Sequence, residues 1–577
     1  MSATKEVDAI TVEIIRNGLI AVTEEMKTNL MRTAYNLIVY EALDFTVGLF
    51  TADGDTISIG LGLPMFIRGM SETVKAKLKH FAAEGIHEGD ILVTNDGYIT
   101  GSHLNHVTFT IPIFHEGKIL AFGCCMAHWL DIGGSRGTVS TDIYSEGLQI
   151  PMLKYRKRGE INQDLIDFIR MNCRLPDFAM GDLRAQITSL ATGERRFLEL
   201  VNRYGRDDVL NSVAVIMDQT EAEARANTRT IPDGVYEAES FMDDDGLDVG
   251  KHVPIKVKVI VEGDEMTIDL SEVGAQVRGF FNSGIATGIA CAQVAYKCIA
   301  TPTNYPLNEG SFRSLKVIIP LGRVISAVRP APLQNWMSFP QTVIDTIFKA
   351  LAPAIPDRTI AAHHADLVIA TLQGISPEGN FFVTHVGPVG GGWGAKSSED
   401  GVSVTVCIND GDTHNTPTEQ LEAKFPVLVD HYTLRTDSGG AGQYRGGLGA
   451  DFAVEALCPM MLNTKIERKF CKPWGLYGGG DGDGNSMSMR TAGDWEDNPQ
   501  NAKLIGKRMN KGDAFMIRSG GGGGFGDAKL RPADRVAHDV VEGYVSAEAA
   551  ASDYGVVVDV KTGKIDEAAT AQRRGKV

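Results

Sequence analysis

Three histidines and an aspartate lie at or beside the ends of two apolar runs that follow each other in the chain. His103 and His106 come after the run 90–94 and a turn-rich stretch, and His128 ends the second run shortly before Asp131. If these runs are neighbouring strands, the side chains meet, and imidazoles with a carboxylate suit zinc, iron or manganese. We therefore predict one divalent metal site, although paired histidines in a loop are more often surface or hydrogen-bonded residues.

Asp44 is a second carboxylate that can complete such a site. It stands at the start of an apolar, strand-like run, where a lone carboxylate must be paired, hydrogen-bonded or a ligand. A backbone hydrogen bond or a solvated strand end explains it equally well. A metal held with one open position would bind water and lower the pKa of that water, which supplies a nucleophile near neutral pH.

Two further patterns resemble functional motifs but have simpler structural explanations. His363 and His364 are adjacent, and adjacent strand residues point to opposite faces, so we expect one buried and one exposed ring. Gly521, Gly523 and Gly526 formally match a dinucleotide fingerprint, but no helix clearly follows them as that motif requires. We expect the glycine-dense regions of the last third to serve tight turns and close backbone packing.

Composition excludes several classes of protein. The chain has 577 residues, a net charge of −17 and no long Lys/Arg-rich run, which argues against nucleic-acid binding. No apolar run approaches the roughly 20 residues that cross a bilayer, and the first residues lack a secretory apolar segment, so we expect a cytoplasmic protein without membrane contact. The eight cysteines form no Cys-x-x-Cys pair and are expected to be buried free thiols.

The order of periodic segments predicts a mixed α/β (α+β) fold with several domains. Helical spacing of apolar residues predicts helices over 11–36, 69–84, 285–300 and 341–351. Alternating runs predict antiparallel strands over 236–270. We divide the chain into a helix-rich N-terminal α/β domain with the metal site at 1–230, a central α/β domain at 231–400 and a β- and glycine-loop-rich domain at 401–577. The polar tail after about residue 559 is expected to be frayed.

Several long motifs occur in a fixed order along the chain. They are Glu41-x-x-Asp44-Phe45, Asn95-Asp96-x-Tyr98 with Gly101-x-His103-Leu104, Ala127-His128-x-x-Asp131-x-Gly133-Gly134, Glu146-Gly147-Leu148-x-Ile150-Pro151, Gly181-Asp182-Leu183-x-Ala185-Gln186, Asn415-Thr416-Pro417 with Glu422, Ser438-Gly439-Gly440-Ala441-Gly442 with Arg445-Gly446-Gly447, and the loop 520–527. With these motifs the chain resembles the hydantoinase B/oxoprolinase family over nearly its whole length.

The resemblance implies a partner and a use of ATP. In such systems a partner of the hydantoinase A type binds ATP and phosphorylates the substrate oxygen, and the B-type subunit completes the reaction. The resemblance also implies a metal held by His103, His106 and His128. His106 departs from the family, in which many members have aspartate, and this neutral ligand favours zinc over manganese. Asp44 or Asp131 would then be the carboxylate of the site.

The leading hypothesis from the resemblance is a subunit of an ATP-dependent hydrolase of cyclic amides. Asp44 or Asp131 would orient a ligand or take a proton. Asn95, Asp96 and Tyr98 would line the pocket. The first alternative is a subunit of an ATP-dependent ketone carboxylase that acts at the same metal, and the second is a non-catalytic scaffold that docks a partner.

Overall fold

The computed structural model describes residues 7–300, 306–491, 493–498 and 502–575, and it confirms the mixed α/β fold. The helices are α1 (Ala9–Thr33), α2 (Leu37–Tyr40), α3 (Phe66–His80), α4 (Gly97–Thr100), α5 (Gln163–Asn172), α6 (Pro176–Tyr204), α7 (Arg206–Thr228), α8 (Ile285–Ala300), α9 (Pro340–Leu351), α10 (Thr418–Lys424), α11 (Ala533–Val541), α12 (Ala547–Ser552) and α13 (Glu567–Arg574). The strands are β1 (Phe45–Thr51), β2 (Thr56–Gly60), β3 (Ile91–Thr94), β4 (His106–His115), β5 (Lys118–His128), β6 (Leu153–Lys157), β7 (Glu160–Ile161), β8 (Gly234–Met242), β9 (Val253–Glu262), β10 (Glu265–Asp269), β11 (Leu315–Ile318), β12 (Ala370–Ile375), β13 (Phe381–Val386), β14 (Val427–Leu434), β15 (Ala450–Ala456), β16 (Met460–Thr464), β17 (Ser486–Arg490), β18 (Glu496–Asp497), β19 (Lys507–Met509) and β20 (Ala514–Arg518).

The largest sheet organises the first 160 residues. Its strand order is β2-β1-β5-β4-β3-β6-β7, with antiparallel neighbours throughout. Alternate residues of a strand point to opposite faces, and both faces of this sheet are buried. In β5, Cys125 and Ala127 pack into one core, while Cys124 and Met126 pack into the other. The central strands are thus held from both sides, which fixes the residues at their ends.

Helices cover both faces of this sheet. On one face α1, α6 and α7 share a core with β1, β4 and β5. On the other face α3 packs against the sheet and α8, and α8 packs against α9. The helix α9 in turn lies on β8 and β9 of a second sheet, ordered β11-β10-β9-β8. The predicted helices over 11–36, 69–84, 285–300 and 341–351 are confirmed with small shifts of their ends.

Two sheets build the last third of the chain, ordered β13-β12-β16-β19 and β14-β15-β20-β17-β18. The first of them hydrogen-bonds β12, from before residue 400, to β16, from after it. A third core joins residues of both sheets, from Val368 to Ile517. The division into domains at residues 230 and 400 stays a prediction.

The glycine-dense regions pack backbone against backbone. Gly392 N donates to Gly520 O, and Gly522 N donates to Gly447 O, both at 2.9 Å. A Cβ on Gly522 would lie 1.8 Å from the carbonyl oxygen of Trp393, a distance no side chain tolerates. The expectation that these glycines serve close backbone packing is confirmed.

The C-terminal tail differs from the sequence prediction. Val558 and Ile565 form a bridge, Asp566 accepts a hydrogen bond from Ala569 N at the start of α13, and Arg574 Nη2 donates to Arg531 O at 2.8 Å. The prediction of a frayed tail is wrong because a helix cap and an arginine contact tie this polar segment down, and neither leaves an apolar pattern.

Two further predictions concern the state of the cysteines and contact with a membrane. All eight cysteines are free, and each is buried except Cys298. None of the helices within the described ranges combines the length and apolarity needed to cross a membrane. The cytoplasmic location stays a prediction.

Candidate functional site

Strand pairing brings His106 and His128 side by side. β4 begins at His106, β5 ends at His128, and the two residues are direct partners in the antiparallel register. Directly opposite residues present their side chains on the same face. Asp44 precedes β1 on the other side of β5, and its carbonyl oxygen accepts a hydrogen bond from His128 N at 3.1 Å. The prediction that these residues lie at the ends of neighbouring strands is confirmed.

The turn before β4 adds His103 to this pair. Its ring centroid lies 4.4 Å from that of His106 and 4.9 Å from that of His128, and the latter two are 5.1 Å apart. His106 Nε2 lies 3.0 Å from Asp44 Oδ1. The structure therefore brings together His103, His106, His128 and Asp44, which we call the imidazole cluster.

The rings of the imidazole cluster keep unused nitrogens. His103 Nε2, His106 Nδ1 and His128 Nδ1 are buried and have no hydrogen-bond partner among the described residues. Burial lowers the pKa of His103 and of His128 well below the ordinary value, so both rings are neutral at physiological pH. Burial would raise the pKa of Asp44, but its histidine neighbours, His106 first, hold that pKa below the usual range. A neutral imidazole with a free nitrogen is ready to bind a metal or accept a proton.

The side chains as placed do not form a ready metal cage. Over the part of the chain that the structure describes, no three or more His, Cys, Asp or Glu residues are arranged to hold a metal ion. His106 uses Nε2 for Asp44 and leaves only Nδ1 unused. The unused nitrogens are nevertheless the donor type that zinc takes, so the cluster fits a metal by the chemistry and burial of these atoms. The metal site stays a prediction.

The imidazole cluster lines a cavity of about 150 Å³. Trp336, whose ring centroid is 5.7 Å from that of His106, also lines it. His385 on β13 lies 6.0 Å from His128, between ring centroids. Lys465, directly after β16, and Arg136 also face the cavity. None of the sequence motifs contains these four residues. Three of them come from distant parts of the chain, so their spacing in the sequence does not indicate that they meet.

A motif in α6 holds the strand that carries His128. Asp182 accepts hydrogen bonds from the backbone and the side chain of Asn36, and Asn36 Nδ2 also donates to His128 O at 3.0 Å. Gln186, one turn further along α6, accepts from Trp129 Nε1 at 2.9 Å and donates to Val107 O at 2.9 Å. These family motif residues therefore position the ends of β4 and β5 rather than face the cavity.

Glu146 supports His103 through a second chain of contacts. Its carboxylate accepts hydrogen bonds from Leu333 N, Gln334 N and Ser140 Oγ. Gln334 O lies 3.1 Å from His103 Nδ1. Burial raises the pKa of Glu146 to about 7. The motif that begins at Glu146 thus fixes the loop on which His103 rests.

Asn95, Asp96 and Tyr98 shape the turn that carries His103. Asn95 Nδ2 donates to Leu104 O at 2.7 Å and to Leu148 O at 2.9 Å. Asp96 caps α4 by accepting from Tyr98 N, and the Tyr98 hydroxyl donates to a backbone carbonyl. None of the three lines the cavity. Their place in the pocket stays a prediction, since their polar atoms contact the backbone of several segments and, at Asp96, the side chain of Arg329.

Asp131 is likewise engaged away from the imidazoles. Its Oδ1 accepts from Arg174 Nη1 at 2.6 Å and from Arg136 Nη2 at 3.1 Å, and its Oδ2 accepts from Arg174 N. Asp131 is not part of the cavity lining. Of the two predicted carboxylates, Asp44 is therefore the one that contacts the histidines.

A second group of polar residues, the closed cluster, consists of Asp345, His363, His364, Cys407 and Arg468. Asp345 Oδ1 lies 3.0 Å from His363 Nδ1, and Asp345 Oδ2 accepts from Arg468 Nη1 at 2.7 Å. His364 packs beside Cys407, with 3.5 Å between Nδ1 and Sγ. Both histidines are buried. The expectation of one exposed ring is wrong because this segment is irregular chain rather than a strand, so its residues do not alternate.

The chain belongs to the hydantoinase B/oxoprolinase family, whose sequence profile matches residues 8–528. The beta subunit of the caprolactamase of Pseudomonas jessenii is 32% identical over 588 residues, covering 98% of this chain and 99% of that protein. A protein assigned as the B-type subunit of a D-/L-hydantoinase from Pseudomonas sp. (strain NS671) is 30% identical over 582 residues, covering 96% of each chain.

Solved structures agree with this membership. The crystal structure of the ATP-dependent caprolactamase from Pseudomonas jessenii matches with a TM-score of 0.92 and 30% identity, over 99% of this chain and 100% of that chain. A nucleotide-free structure of acetone carboxylase matches with a TM-score of 0.89 and 19% identity, over 98% of this chain and 82% of that chain. At that identity the second likeness concerns the fold alone.

Proposed function

We propose that this chain is the B-type subunit of an ATP-dependent hydrolase that opens a cyclic amide such as a lactam, a hydantoin or an oxoproline-like ring. Its partner is a hydantoinase A-type subunit that binds ATP and phosphorylates the substrate. The match to a caprolactamase subunit and to a hydantoinase subunit over nearly the whole of each chain supports this assignment. The observation that carries it within the chain is the imidazole cluster, with three buried unused nitrogens beside a cavity.

The chemistry of an amide explains why two subunits are needed. An amide carbonyl is a poor electrophile, and a phosphoryl group on its oxygen makes the carbon electrophilic. The overall reaction consumes one lactam, one ATP and two waters and yields the open amino acid, ADP and phosphate; the C–N bond of the ring breaks, its nitrogen takes up a proton, and the phosphoryl group leaves as phosphate. A neutral imidazole beside the carbon can take the proton of the attacking water. Apolar residues of the lining, among them Leu37, Leu130 and Ile132, suit the methylene groups of a ring.

A divalent metal fits the same cluster. His103, His106 and His128 would hold it with Asp44, and three imidazole ligands favour zinc over manganese. A bound metal supplies a Lewis acid and lowers the pKa of water. Asp44 accepts the proton of His106 Nε2 and so fixes the tautomer of that ring. We place the reaction in the cytoplasm, where the partner meets ATP.

Co-purification of this chain with a co-expressed hydantoinase A-type protein tests the assignment. A panel of caprolactam, hydantoin and 5-oxoproline should yield a ring-opened product with equimolar ADP, measured by mass spectrometry. His103→Ala should lower turnover about 10²–10⁴-fold, the usual range for a lost acid–base group, and should lower the metal content of the complex. The matched control is His80→Ala, an exposed histidine at the end of α3.

Three outcomes would reject this function. Full turnover and metal content in His103→Ala would remove the imidazole cluster from the reaction. Incorporation of labelled bicarbonate into an acidic product would identify a ketone carboxylase instead. If this chain binds its partner but the complex converts neither a cyclic amide nor a ketone, the chain is a scaffold.

A further inference from the structure

Two cationic side chains line the cavity together with the imidazole cluster. Lys465 follows β16, and Arg136 lies in the loop after β5. The carbonyl oxygen of Lys465 accepts a hydrogen bond from Ser338 Oγ at 3.0 Å, which fixes its backbone. Neither residue has a place in the reaction outlined above.

Lys465 lacks a carboxylate partner within the described ranges, since its ammonium makes no ion pair shorter than 4.0 Å there. Its Nζ lies 5.0 Å from the ring centroid of Phe280, another residue of the lining. Burial lowers the pKa of Lys465 to about 8, which leaves most of it charged at neutral pH. A charge removed from water is costly unless it is paired, so this ammonium is suited to an anion that enters the cavity.

Arg136 is only partly satisfied. Its Nη2 donates to Leu130 O and to Asp131 Oδ1, both at 3.1 Å. Its Nε is buried and has no hydrogen-bond partner in the described part of the chain. Asp131 also pairs with Arg174, so one carboxylate serves two guanidinium groups and a net positive charge remains.

The carboxylates of the lining form no ion pair with either cation among the described residues, and the negative charge of Glu146 favours the charged form of Lys465. Asp44 contacts His106, Glu146 accepts from two backbone N–H groups, and Asp366 accepts from Leu367 N and Glu467 N. His385 lines the cavity together with both cations.

We propose that Lys465 and Arg136 form the subsite that binds the phosphoryl group of the activated substrate. This assignment rests on the proposed function, which requires a phosphorylated species in this cavity. An ammonium offers three donors and a guanidinium offers a fork, and both match phosphoryl oxygens. A phosphoryl group held at these cations leaves the activated carbon beside the imidazole cluster.

Calorimetric titration of the purified chain with inorganic phosphate, in buffer with a chelator, tests the subsite directly. The wild type should bind phosphate, Lys465→Met should bind it at least tenfold more weakly, and Lys465→Arg should restore binding to within about threefold. The control Lys472→Met removes an exposed lysine that pairs with Asp483 outside the cavity, and it should bind as the wild type does. Lys465→Gln replaces Lys465→Met if the latter does not fold.

The subsite and the proposed function fail in different ways. Unchanged phosphate binding in the Lys465 variants, no phosphate binding by the wild type, or tighter binding of bicarbonate than of phosphate would overturn the subsite. A chain that binds phosphate through Lys465, in a complex that opens no cyclic amide, would keep the subsite and reject the function. A complex in which Lys465→Met opens the ring as fast as the wild type would keep the function and overturn the subsite.

Discussion

The imidazole cluster and the closed cluster use the same kinds of side chain but differ in how their carboxylate is used. Asp345 of the closed cluster contacts the backbone and ring of His363, Arg468 and Gln341. The Asp44 side chain has one hydrogen-bond partner among the described residues, His106. One nitrogen of His363 is also unused, but this ring packs against Trp393 at 4.9 Å between centroids, away from the cavity lining.

This difference separates the structural role of the closed cluster from the chemical role that we propose for the imidazole cluster. Asp345 lies on α9, His363 lies in the irregular segment between α9 and β12, and Arg468 lies in the irregular segment between β16 and β17, so the closed cluster joins these two segments to a helix. The imidazole cluster has three buried nitrogens without a hydrogen-bond partner among the described residues, and its residues line a cavity. A buried histidine paired with an aspartate is therefore a poor indicator of a functional site. A histidine that lines a cavity and has a ring nitrogen without a hydrogen-bond partner is a better indicator.

The largest effect on stability is expected in the closed cluster. Asp345→Asn should lower the free energy of unfolding by about 3–5 kcal/mol, because it leaves the buried guanidinium of Arg468 without its counter-charge. Chemical denaturation of the purified chain measures this. Asp357→Asn, an exposed aspartate after α9, is the matched control and should stay within about 0.5 kcal/mol of the wild type.

We expect a much smaller loss of stability in the imidazole cluster. His103 makes one hydrogen bond, to Gln334 O, so His103→Ala should cost about 1 kcal/mol of stability. A loss of stability in His103→Ala equal to that in Asp345→Asn would remove the distinction between the two clusters.

The sequence predicted the central strands and the meeting of three histidines because both depend on local signals. Apolar runs, the hairpin turn between β4 and β5 and antiparallel pairing suffice to bring His106 opposite His128. The helix ends were close for the same reason, since helical periodicity is local. The glycine packing could be anticipated as a type of contact, although the partner of each glycine could not.

The rest of the site depends on contacts that no local pattern records. His385 and Lys465 reach the cavity because β12 pairs with both β13 and β16, a register set by tertiary packing. Asn95 and Asp131 are polar residues a short distance from histidines in the sequence, and sequence cannot tell a ligand from a residue that holds a turn. Only the partners of their side-chain atoms decide this, and those partners lie in other segments.

Two buried carboxylates, one near each cluster, should make stability depend on pH in opposite directions. Burial raises the pKa of Glu146 to about 7. Glu146 therefore keeps its proton in the folded state at pH values at which the unfolded chain has released it. Stability therefore falls as the pH rises from about 4.5 to 7. Glu146→Gln removes this titration, so its stability relative to the wild type should rise by up to about 3 kcal/mol between pH 5 and pH 8.

Asp345 gives the reverse dependence. Burial alone would raise its pKa, but His363 and Arg468 hold that pKa below the ordinary value. Its contribution is present above the pKa of an unfolded aspartate and is lost as the pH falls through the folded-state pKa. Denaturation curves of Glu146→Gln, Asp345→Asn and the wild type from pH 4 to pH 8 measure both. A Glu146→Gln difference that does not change with pH would show that Glu146 is ionised throughout.

The smallest effect on stability is expected at Asp44, where the main change concerns activity. Asp44→Asn keeps the shape of the side chain but removes the charge that orients His106. The partner of a functional histidine typically contributes about 10–100-fold, so turnover by the complex should fall by that factor while stability changes by less than about 1 kcal/mol. Asp53→Asn, in the exposed turn between β1 and β2, is the control. A variant with wild-type turnover would mean that His106 needs no orienting partner, and Asp44 would then belong with the structural carboxylates.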